Sequence, residues 1–155
     1  MGFSDTTTLH VYCAQRNLVT FHGPSIMAGF SQMRSLPCEY EHHVREMFFE
    51  PQERYEYKPY SLYCEGYPEW ADFNNLGKTY PLKASQGWRW AFGSHVVQGK
   101  LFGGCLEVLE MLKGTELWPS DNFWSDKILF LETSELCPSL EWVAGALRIM
   151  VCGVS

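Results

Sequence analysis

The chain begins with a serine in a position suited to nucleophilic catalysis. Ser4 follows Phe3, which can end a buried strand, and precedes Asp5 and threonines 6–8, whose side-chain oxygens favour the start of a helix. A serine between a strand end and a helix start lies on a sharp turn, where the first amides of the helix can stabilise an oxyanion. The sequence therefore predicts Ser4 as a candidate nucleophile. The alternative is that Ser4 and Asp5 only cap the helix.

A second candidate is the carboxylate of Glu132. Residues 127–131 form a continuous, largely apolar run of strand length, which is typical of a central strand in a parallel sheet. Glu132 stands at its carboxyl end, and ligands of open α/β sheets bind at that end of the strands. This position makes Glu132 a candidate site residue. The alternative is that Glu132 caps the helix that starts near Ser139.

Other residues with catalytic or metal-binding chemistry are less well placed. His42 and His43 lie about one helical turn from Glu46, but the His-Glu-x-x-His pattern is absent and we expect no cysteine to be near enough to complete a metal site. Gly103 and Gly104 lack the additional glycines of a dinucleotide-binding or phosphate-binding loop. The sequence therefore predicts a solvated helix face at the two histidines, and it predicts no cofactor and no metal.

The remaining histidines have less defined roles. His10 lies six residues after Ser4, more than one turn along the predicted helix, so we expect it to be packed or exposed rather than a catalytic base. His22 and His95 fall in turns, and the sequence leaves their roles open.

The elements that must position these residues alternate between helix and strand up to about residue 52. Apolar spacing predicts a helix over about residues 5–16, a short buried strand at 18–21, a short helix capped by Ser25 and a longer helix after Pro37. In the first helix the apolar face is expected to contain Leu9, Val11, Tyr12 and Ala14. Alternating strands and helices indicate a parallel sheet and the α/β class.

From about His95 the sequence again predicts regular elements. These are a largely buried helix over 105–112, the strand at 127–131 and a last helix from about Ser139. We therefore predict three segments. Residues 1–52 form part of an incomplete α/β domain that carries the nucleophile, residues 53–94 form an irregular aromatic linker, and residues 95–155 begin a second α/β domain. Within the linker, alternation over 54–58 predicts an exposed strand.

Two tryptophans stand out in the aromatic linker. Trp88 and Trp90 flank Arg89, and flat rings around a guanidinium can stack on a planar ligand such as a nucleobase. The alternative is that these rings cover a seam between domains, because aromatic side chains often serve only to bury area.

Composition excludes several classes of protein. The chain has 155 residues, and with 46% hydrophobic and 15% aromatic residues it is too apolar to be disordered. It has no run long enough to cross a bilayer and no secretory signal pattern. A net charge of −6 disfavours nucleic acid as a partner. The six cysteines are scattered without a Cys-x-x-Cys pair, which indicates reduced thiols in a cytoplasmic protein.

Taken in order, several segments resemble the LD-carboxypeptidase and microcin C immunity protein family of serine peptidases. The resemblance spans nearly the whole chain. The matching segments are GFSDTT (2–7), FHGPSIMAGF (21–30), WRW (88–90), GKLFGGCLEVL (99–109), GTELWP (114–119) and ILFLET (128–133).

The resemblance implies a Ser-Glu-His triad with Ser4 as nucleophile and Glu132 as the residue that orients the histidine. It further implies that the backbone N–H of Asp5 is one oxyanion-hole donor. The residues assigned to substrate binding are Trp88, Trp90, Gly103 and Gly104. The implied substrates carry an amide next to a free carboxylate, in cell-wall L,D-peptides or in a peptide or amino acid joined to a nucleotide-like antibiotic. A homodimer of the full-length protein is consistent with this resemblance.

The chain departs from the family pattern at both ends. The family's first strands, with a Gly-Gly turn that completes the oxyanion hole, should precede Ser4. Its catalytic histidine should lie well beyond Glu132, in a later segment of the second domain, whereas this sequence ends at Ser155. We therefore expect an incomplete peptidase, inactive by itself. Two alternatives stay open, namely a non-catalytic module that binds a nucleotide-like or peptide ligand, and a non-functional gene remnant.

Overall fold

A computed structural model of the chain describes residues 1–50 and 52–152. Position 51, in the first predicted segment, and positions 153–155, at the end of the third, lie outside the described residues. Contacts divide the chain into two compact units, one made of Met1–Pro24 with Val96–Ser155 and the other of Ser25–His95. The division of the parent protein at residues 52 and 95 stays a prediction.

Eight regular elements follow one another along the described residues. In chain order they are α1 Thr7–Ala14, α2 Cys38–Phe49, β1 Leu62–Tyr63, β2 Lys83–Ala84, β3 Lys100–Cys105, α3 Leu106–Leu112, β4 Lys127–Glu132 and α4 Leu140–Cys152. Four short 3₁₀ helices accompany them, at Ser4–Thr6, Met33–Ser35, Phe73–Asn75 and Asp121–Trp124. Among the described residues, no helix is long and apolar enough to cross a membrane.

A parallel strand pair forms the framework of the first unit. Strand β3 pairs with β4 in a register that runs from Lys100 opposite Lys127 to Cys105 opposite Glu132. Helix α3 begins directly after β3, as expected when a crossover helix packs back onto a parallel pair. This arrangement confirms the α/β class, the apolar strand that ends at Glu132 and the buried helix that follows Gly103 and Gly104.

The core of the first unit lies between α1, α3, α4 and the strand pair. Its buried side chains are Val11, Phe102, Leu106, Leu109, Leu112, Ala146 and Met150. Helix α4 begins one residue after Ser139, whose hydroxyl accepts a hydrogen bond from the Trp142 N–H. The last helix and its start near Ser139 are thus confirmed.

Helix α1 buries a different face from the predicted one. Thr7, His10 and Val11 are buried, whereas Leu9 is 64% exposed and Tyr12 is 42% exposed. The prediction was therefore right about the helix but wrong about two of its four buried positions. Polar Thr7 and His10 can be buried because each makes a hydrogen bond with a backbone group.

The buried strand predicted at residues 18–21 is wrong. Leu18 and Val19 are exposed, and the segment makes one isolated parallel bridge, between Gly2 and His22. The Gly2 N–H donates to the Phe21 carbonyl, and the Gly23 N–H donates to the Gly2 carbonyl. Among the described residues, no further backbone pairing extends this bridge into a strand.

The second unit contains helix α2, which confirms the helix predicted after Pro37 and buries Val44. The short helix predicted after Ser25 is wrong. The Ser25 hydroxyl does accept from the Ala28 N–H, but Gly29 at φ +117° closes a turn there instead.

The strand predicted at residues 54–58 is also wrong. Within the second unit, Tyr55 stacks on His43 and Tyr57 meets the same ring edge-on, so these side chains join an aromatic cluster instead of a ladder. The unit's short antiparallel pair is formed by β1 and β2.

Candidate active site

The backbone at Ser4 has the geometry of a sharp strand-to-helix turn. Phe3 is extended, at φ −138° and ψ −173°, and Ser4 then takes a φ of +54° before the 3₁₀ turn leads into α1. A left-handed φ is uncommon for a residue with a Cβ and costs about 1–3 kcal/mol, so it persists only where its surroundings hold it. This strained turn is the geometry that presents a nucleophilic serine at the end of a strand.

Buried hydrogen bonds hold this turn in place. The Thr6 hydroxyl donates to the Phe3 carbonyl at 2.9 Å, and His10 Nε2 donates to the Gly2 carbonyl at 3.1 Å. On the other side, Thr7 Oγ1 accepts from the Cys105 N–H at 2.9 Å. The last of these bonds joins the start of α1 to the end of β3, so the serine turn is fixed to the strand pair.

His10 acts in this turn as a neutral hydrogen-bond donor. A carbonyl oxygen can only accept, so the Nε2 that contacts Gly2 carries the proton. Burial lowers the pKa of His10, and the Gly2 carbonyl, which favours the protonated ring, only partly offsets this effect. Nδ1 of this ring is buried and has no hydrogen-bond partner among the described residues. His10 is therefore packed, which is one of the two outcomes, packed or exposed, that the sequence predicted.

Glu132 lies next to the serine turn, at the end of β4. Its Oε1 accepts a hydrogen bond from the main-chain N–H of Ser4 at 3.1 Å. Its Oε2 lies 3.3 Å from Nε2 of His22. The first unit thus brings the predicted nucleophile and the predicted carboxylate together, and it adds a histidine to them.

His22 is the residue of this cluster whose role the sequence left open. Its ring meets Phe130 edge-on, with centroids 5.1 Å apart, and its centroid lies 5.8 Å from that of His10. The bridge between Gly2 and His22 places it beside the segment that delivers Ser4. One sequence signal could have indicated His22. Like Ser4 and Glu132, it directly follows an apolar run, and parallel segments bring their carboxyl ends to the same edge of a sheet.

Glu107 is a second residue that the sequence did not single out. Its Oε1 accepts from the N–H of Ser134 at 2.9 Å and from its hydroxyl at 2.7 Å, which ties α3 to the loop just after Glu132. Burial acts to raise the pKa of this carboxyl, but hydrogen bonds from Ser134, from the N–H of Glu107 itself and from the Cys105 thiol together outweigh it, so the pKa lies below its ordinary value. Glu107 therefore supports the end of β4 as an ionised acceptor.

Two groups at the turn are unengaged within the described part of the chain. The Ser4 hydroxyl and the Asp5 N–H make no hydrogen bond to any described residue. An unpaired N–H at the start of a helix is available to a ligand. The assignment of Ser4 as nucleophile and of Asp5 as an oxyanion donor stays a prediction that this geometry permits.

Gly103 and Gly104 are buried within β3. A Cβ on Gly103 would lie 1.7 Å from the Phe130 carbonyl oxygen, and one on Gly104 would lie 2.5 Å from Thr7 Oγ1. Close packing against β4 and α1 thus accounts for both glycines without a ligand. Their predicted part in substrate binding stays a prediction.

Trp88 and Trp90 belong to the second unit, and the two rings are 69% and 73% exposed. The Trp90 indole N–H donates to the carbonyl of Gly93. Within that unit both residues are largely exposed, which is compatible with the predicted stacking. Their role in substrate binding stays a prediction.

The described residues contain no group of three or more His, Cys, Asp or Glu side chains that could hold a metal ion. His43 instead contacts the Tyr60 hydroxyl through Nδ1 and lies in the aromatic cluster of the second unit. Burial raises the pKa of Tyr60 to about 12, so this phenol is a neutral member of that cluster.

Comparison with known proteins identifies relatives for this chain. Residues 98–149 match the LD-carboxypeptidase C-terminal domain. The chain is 28% identical over 122 residues to a predicted carboxypeptidase of Vibrio cholerae, covering 77% of this chain and 34% of that protein. It is 30% identical over 142 residues to the microcin C7 self-immunity protein MccF of Escherichia coli, covering 86% of this chain and 38% of that protein.

The fold also matches a solved structure. An MccF-like protein from Streptococcus pneumoniae, crystallised with AMP, superposes with a TM-score of 0.78 at 29% identity, covering 99% of this chain and 48% of that one. The chain therefore spans between about a third and a half of the length of these relatives. It belongs to the family of LD-carboxypeptidases and microcin immunity proteins.

Proposed function

We propose that the protein to which this chain contributes is a serine carboxypeptidase of the Ser-Glu-His type that hydrolyses an amide next to a free carboxylate. Ser4 is the nucleophile in this proposal, and Glu132 orients the histidine that deprotonates it. The observation that supports it most is the left-handed Ser4 turn, whose N–H donates to the Glu132 carboxylate 3.1 Å away.

The electrostatics of the turn fit acyl transfer. Attack by the Ser4 oxygen on a carbonyl carbon creates an oxyanion, which needs N–H donors fixed before the reaction. The Ser4 N–H is engaged by Glu132, and the next N–H along the chain, on Asp5, has no partner among the described residues. Asp5 therefore supplies one oxyanion donor, and a second donor has to come from a segment outside this chain.

Two substrate classes fit the family, namely cell-wall L,D-peptides and aminoacyl or peptidyl nucleotides of the microcin C type. The Streptococcus pneumoniae relative was crystallised with AMP, and MccF was crystallised with aspartyl sulfamoyl adenosine. These ligands favour the second class for this chain, with Trp88 or Trp90 stacking on the base. A homodimer and a cytoplasmic location remain predictions for the full-length protein.

A triad also needs a base, and the proposal places it outside the chain. His22 contacts Glu132 through Nε2, but its Nδ1 is buried without a hydrogen-bond partner among the described residues, so the ring makes no hydrogen bond to the Ser4 hydroxyl. An unassisted serine hydroxyl is a weak nucleophile. We therefore propose that residues 1–155 alone do not turn over substrate.

The test uses a completed protein, meaning this chain joined to the flanking segments of the Streptococcus pneumoniae relative. Hydrolysis of an aminoacyl sulfamoyl adenosine and of an L,D-linked tetrapeptide is followed by mass spectrometry. Ser4→Ala should abolish turnover and acyl-enzyme formation, whereas Glu132→Ala should reduce kcat by about 10⁴-fold or less. Unchanged hydrolysis in the Ser4→Ala protein would contradict the proposal.

A binding module without chemistry is the second candidate. It is favoured by the high exposure of Trp88 and Trp90, whose rings a stacked base could use in the absence of catalysis. In that case the completed protein would bind AMP with a measurable Kd and would form no acyl adduct on Ser4. The same experiment therefore distinguishes the two functions.

A further inference from the structure

We propose that His22 is a positioning residue for Glu132, a role that rests on the proposed function because it acts through the carboxylate that orients the catalytic base. The cluster consists of the Ser4 N–H, the Glu132 carboxylate and the His22 ring, all within the first unit. The Ser4 N–H donates to Oε1 of Glu132, and Nε2 of His22 contacts Oε2 of Glu132.

The two contacts together fix the plane of the carboxylate. The Glu132 side chain is 37% exposed, so without fixed partners it would rotate and exchange its contacts with water. The Ser4 N–H donates to Oε1 at 3.1 Å and Nε2 of His22 lies 3.3 Å from Oε2, so the two contacts together favour one orientation of the carboxylate. Each carboxylate oxygen can accept a further hydrogen bond, which leaves room for the base of the triad.

The geometry also defines where the His22 proton lies. A hydrogen on Nε2 would face Oε2 of Glu132 3.3 Å away, and a carboxylate oxygen can accept it, so we place the ring hydrogen on Nε2. Nδ1 is buried and has no hydrogen-bond partner among the described residues, so a second proton there would be unsolvated and unpaired. We therefore assign Nε2 of His22 to Glu132 and give the ring no part as the base for Ser4.

The ring itself is held in place by its neighbours. Phe130, two residues before Glu132 on β4, packs edge-on against it, and His10 lies on another side. The backbone of His22 is bridged to Gly2, close to the serine turn. A donor fixed by packing and by backbone pairing can position the carboxylate because it does not itself reorient.

The first test measures the tautomer directly on this chain. Long-range proton–nitrogen correlation on ¹⁵N-histidine-labelled protein should show His22 protonated at Nε2 and unprotonated at Nδ1. Glu132→Gln should shift the His22 Nε2 resonance and leave that of His42, a histidine of α2, in place. A His22 ring protonated only at Nδ1, or one indifferent to Glu132→Gln, would overturn the inference whatever the enzyme does.

The second test separates positioning from packing in the completed protein. His22→Phe keeps the ring but loses the donor, and it should lower kcat about 10- to 100-fold with KM nearly unchanged. His22→Gln places an amide N–H near the position of Nε2 and should recover most of that loss. His42→Phe is the matched control and should leave kcat unchanged.

The outcomes distinguish this inference from the proposed function. If Ser4→Ala is inactive while His22→Phe keeps full kcat, the positioning role is wrong and the peptidase proposal stands. If His22→Gln is as impaired as His22→Phe and both melt at equally lowered temperatures, the ring is only structural and the inference fails. If Ser4→Ala remains active, the proposed function fails, and the tautomer measurement alone decides whether His22 holds Glu132.

Discussion

The main-chain N–H of Ser4 donates to Oε1 of Glu132 at 3.1 Å, across a sequence separation of 128 residues. This bond ties the strained turn at the start of the chain to the end of strand β4. It also engages the Ser4 N–H with the carboxylate, which agrees with the prediction that the oxyanion donor at this turn is the N–H of Asp5. One hydrogen bond thus joins the predicted nucleophile residue to the predicted orienting carboxylate.

The chain alone is expected to be inactive, because no base among the described residues is hydrogen-bonded to the Ser4 hydroxyl. Purified residues 1–155 should release no product above background from an aminoacyl sulfamoyl adenosine, measured by mass spectrometry. If the chain did turn over in a Ser4-dependent manner, one of its own histidines would be acting as the base. His22→Phe would then be the first variant to examine, with His42→Phe as its control.

Trp88→Ala or Trp90→Ala in the completed protein should weaken substrates with a nucleobase more than plain peptides. Loss of a stacked base is expected to cost about 1–3 kcal/mol, read from kcat/KM or from AMP affinity by calorimetry. Phe92→Ala is a suitable control, because Phe92 is 97% exposed and lies close in sequence. Equal losses on both substrate types together with a lower Tm would instead indicate packing.

Gly103→Ala should unfold or severely destabilise the first unit. The new Cβ would lie 1.7 Å from the Phe130 carbonyl oxygen, and a paired backbone cannot yield easily, so we expect a loss of about 3 kcal/mol or more. Gly145→Ala is the control, since nothing lies within 4 Å of its Cβ and helix α4 should gain about 1 kcal/mol. Urea titrations measure both. A stable Gly103→Ala protein with raised KM would favour the substrate-binding role.

His10 should make stability depend on pH below neutrality. Because its pKa is lowered from the ordinary 6.5, the unfolded chain binds this proton more tightly than the folded protein does. The free energy of unfolding should therefore fall as the pH falls below 6.5 and level off below the folded pKa. His10→Gln keeps a donor for the Gly2 carbonyl without titrating.

The check is the difference in urea midpoint between about pH 7.5 and about pH 5.5, for wild type and for His10→Gln. The wild type should lose more stability over this interval than the variant. An equal loss in both proteins would mean that other groups cause the pH dependence and that His10 does not.

Local signals in the sequence were enough to predict the serine turn, the apolar strand that ends at Glu132, and the helices after Pro37, Gly104 and Ser139. Each of these depends on residues that are neighbours along the chain, such as Phe3 before Ser4 or the continuous run at 127–131. Cap residues and apolar period act over one or two turns, so they can be read without knowledge of the fold.

Only the tertiary structure decided which faces are buried and which side chains meet. Helix α1 has apolar residues on more than one side, and its buried face contains Thr7, which accepts from the distant Cys105 N–H, and His10, which donates to the Gly2 carbonyl, instead of Leu9 and Tyr12. The contact between His22 and Glu132 likewise depends on pairing between segments far apart in sequence. Periodicity specifies a face but not its partner, because the partner is set by long-range packing.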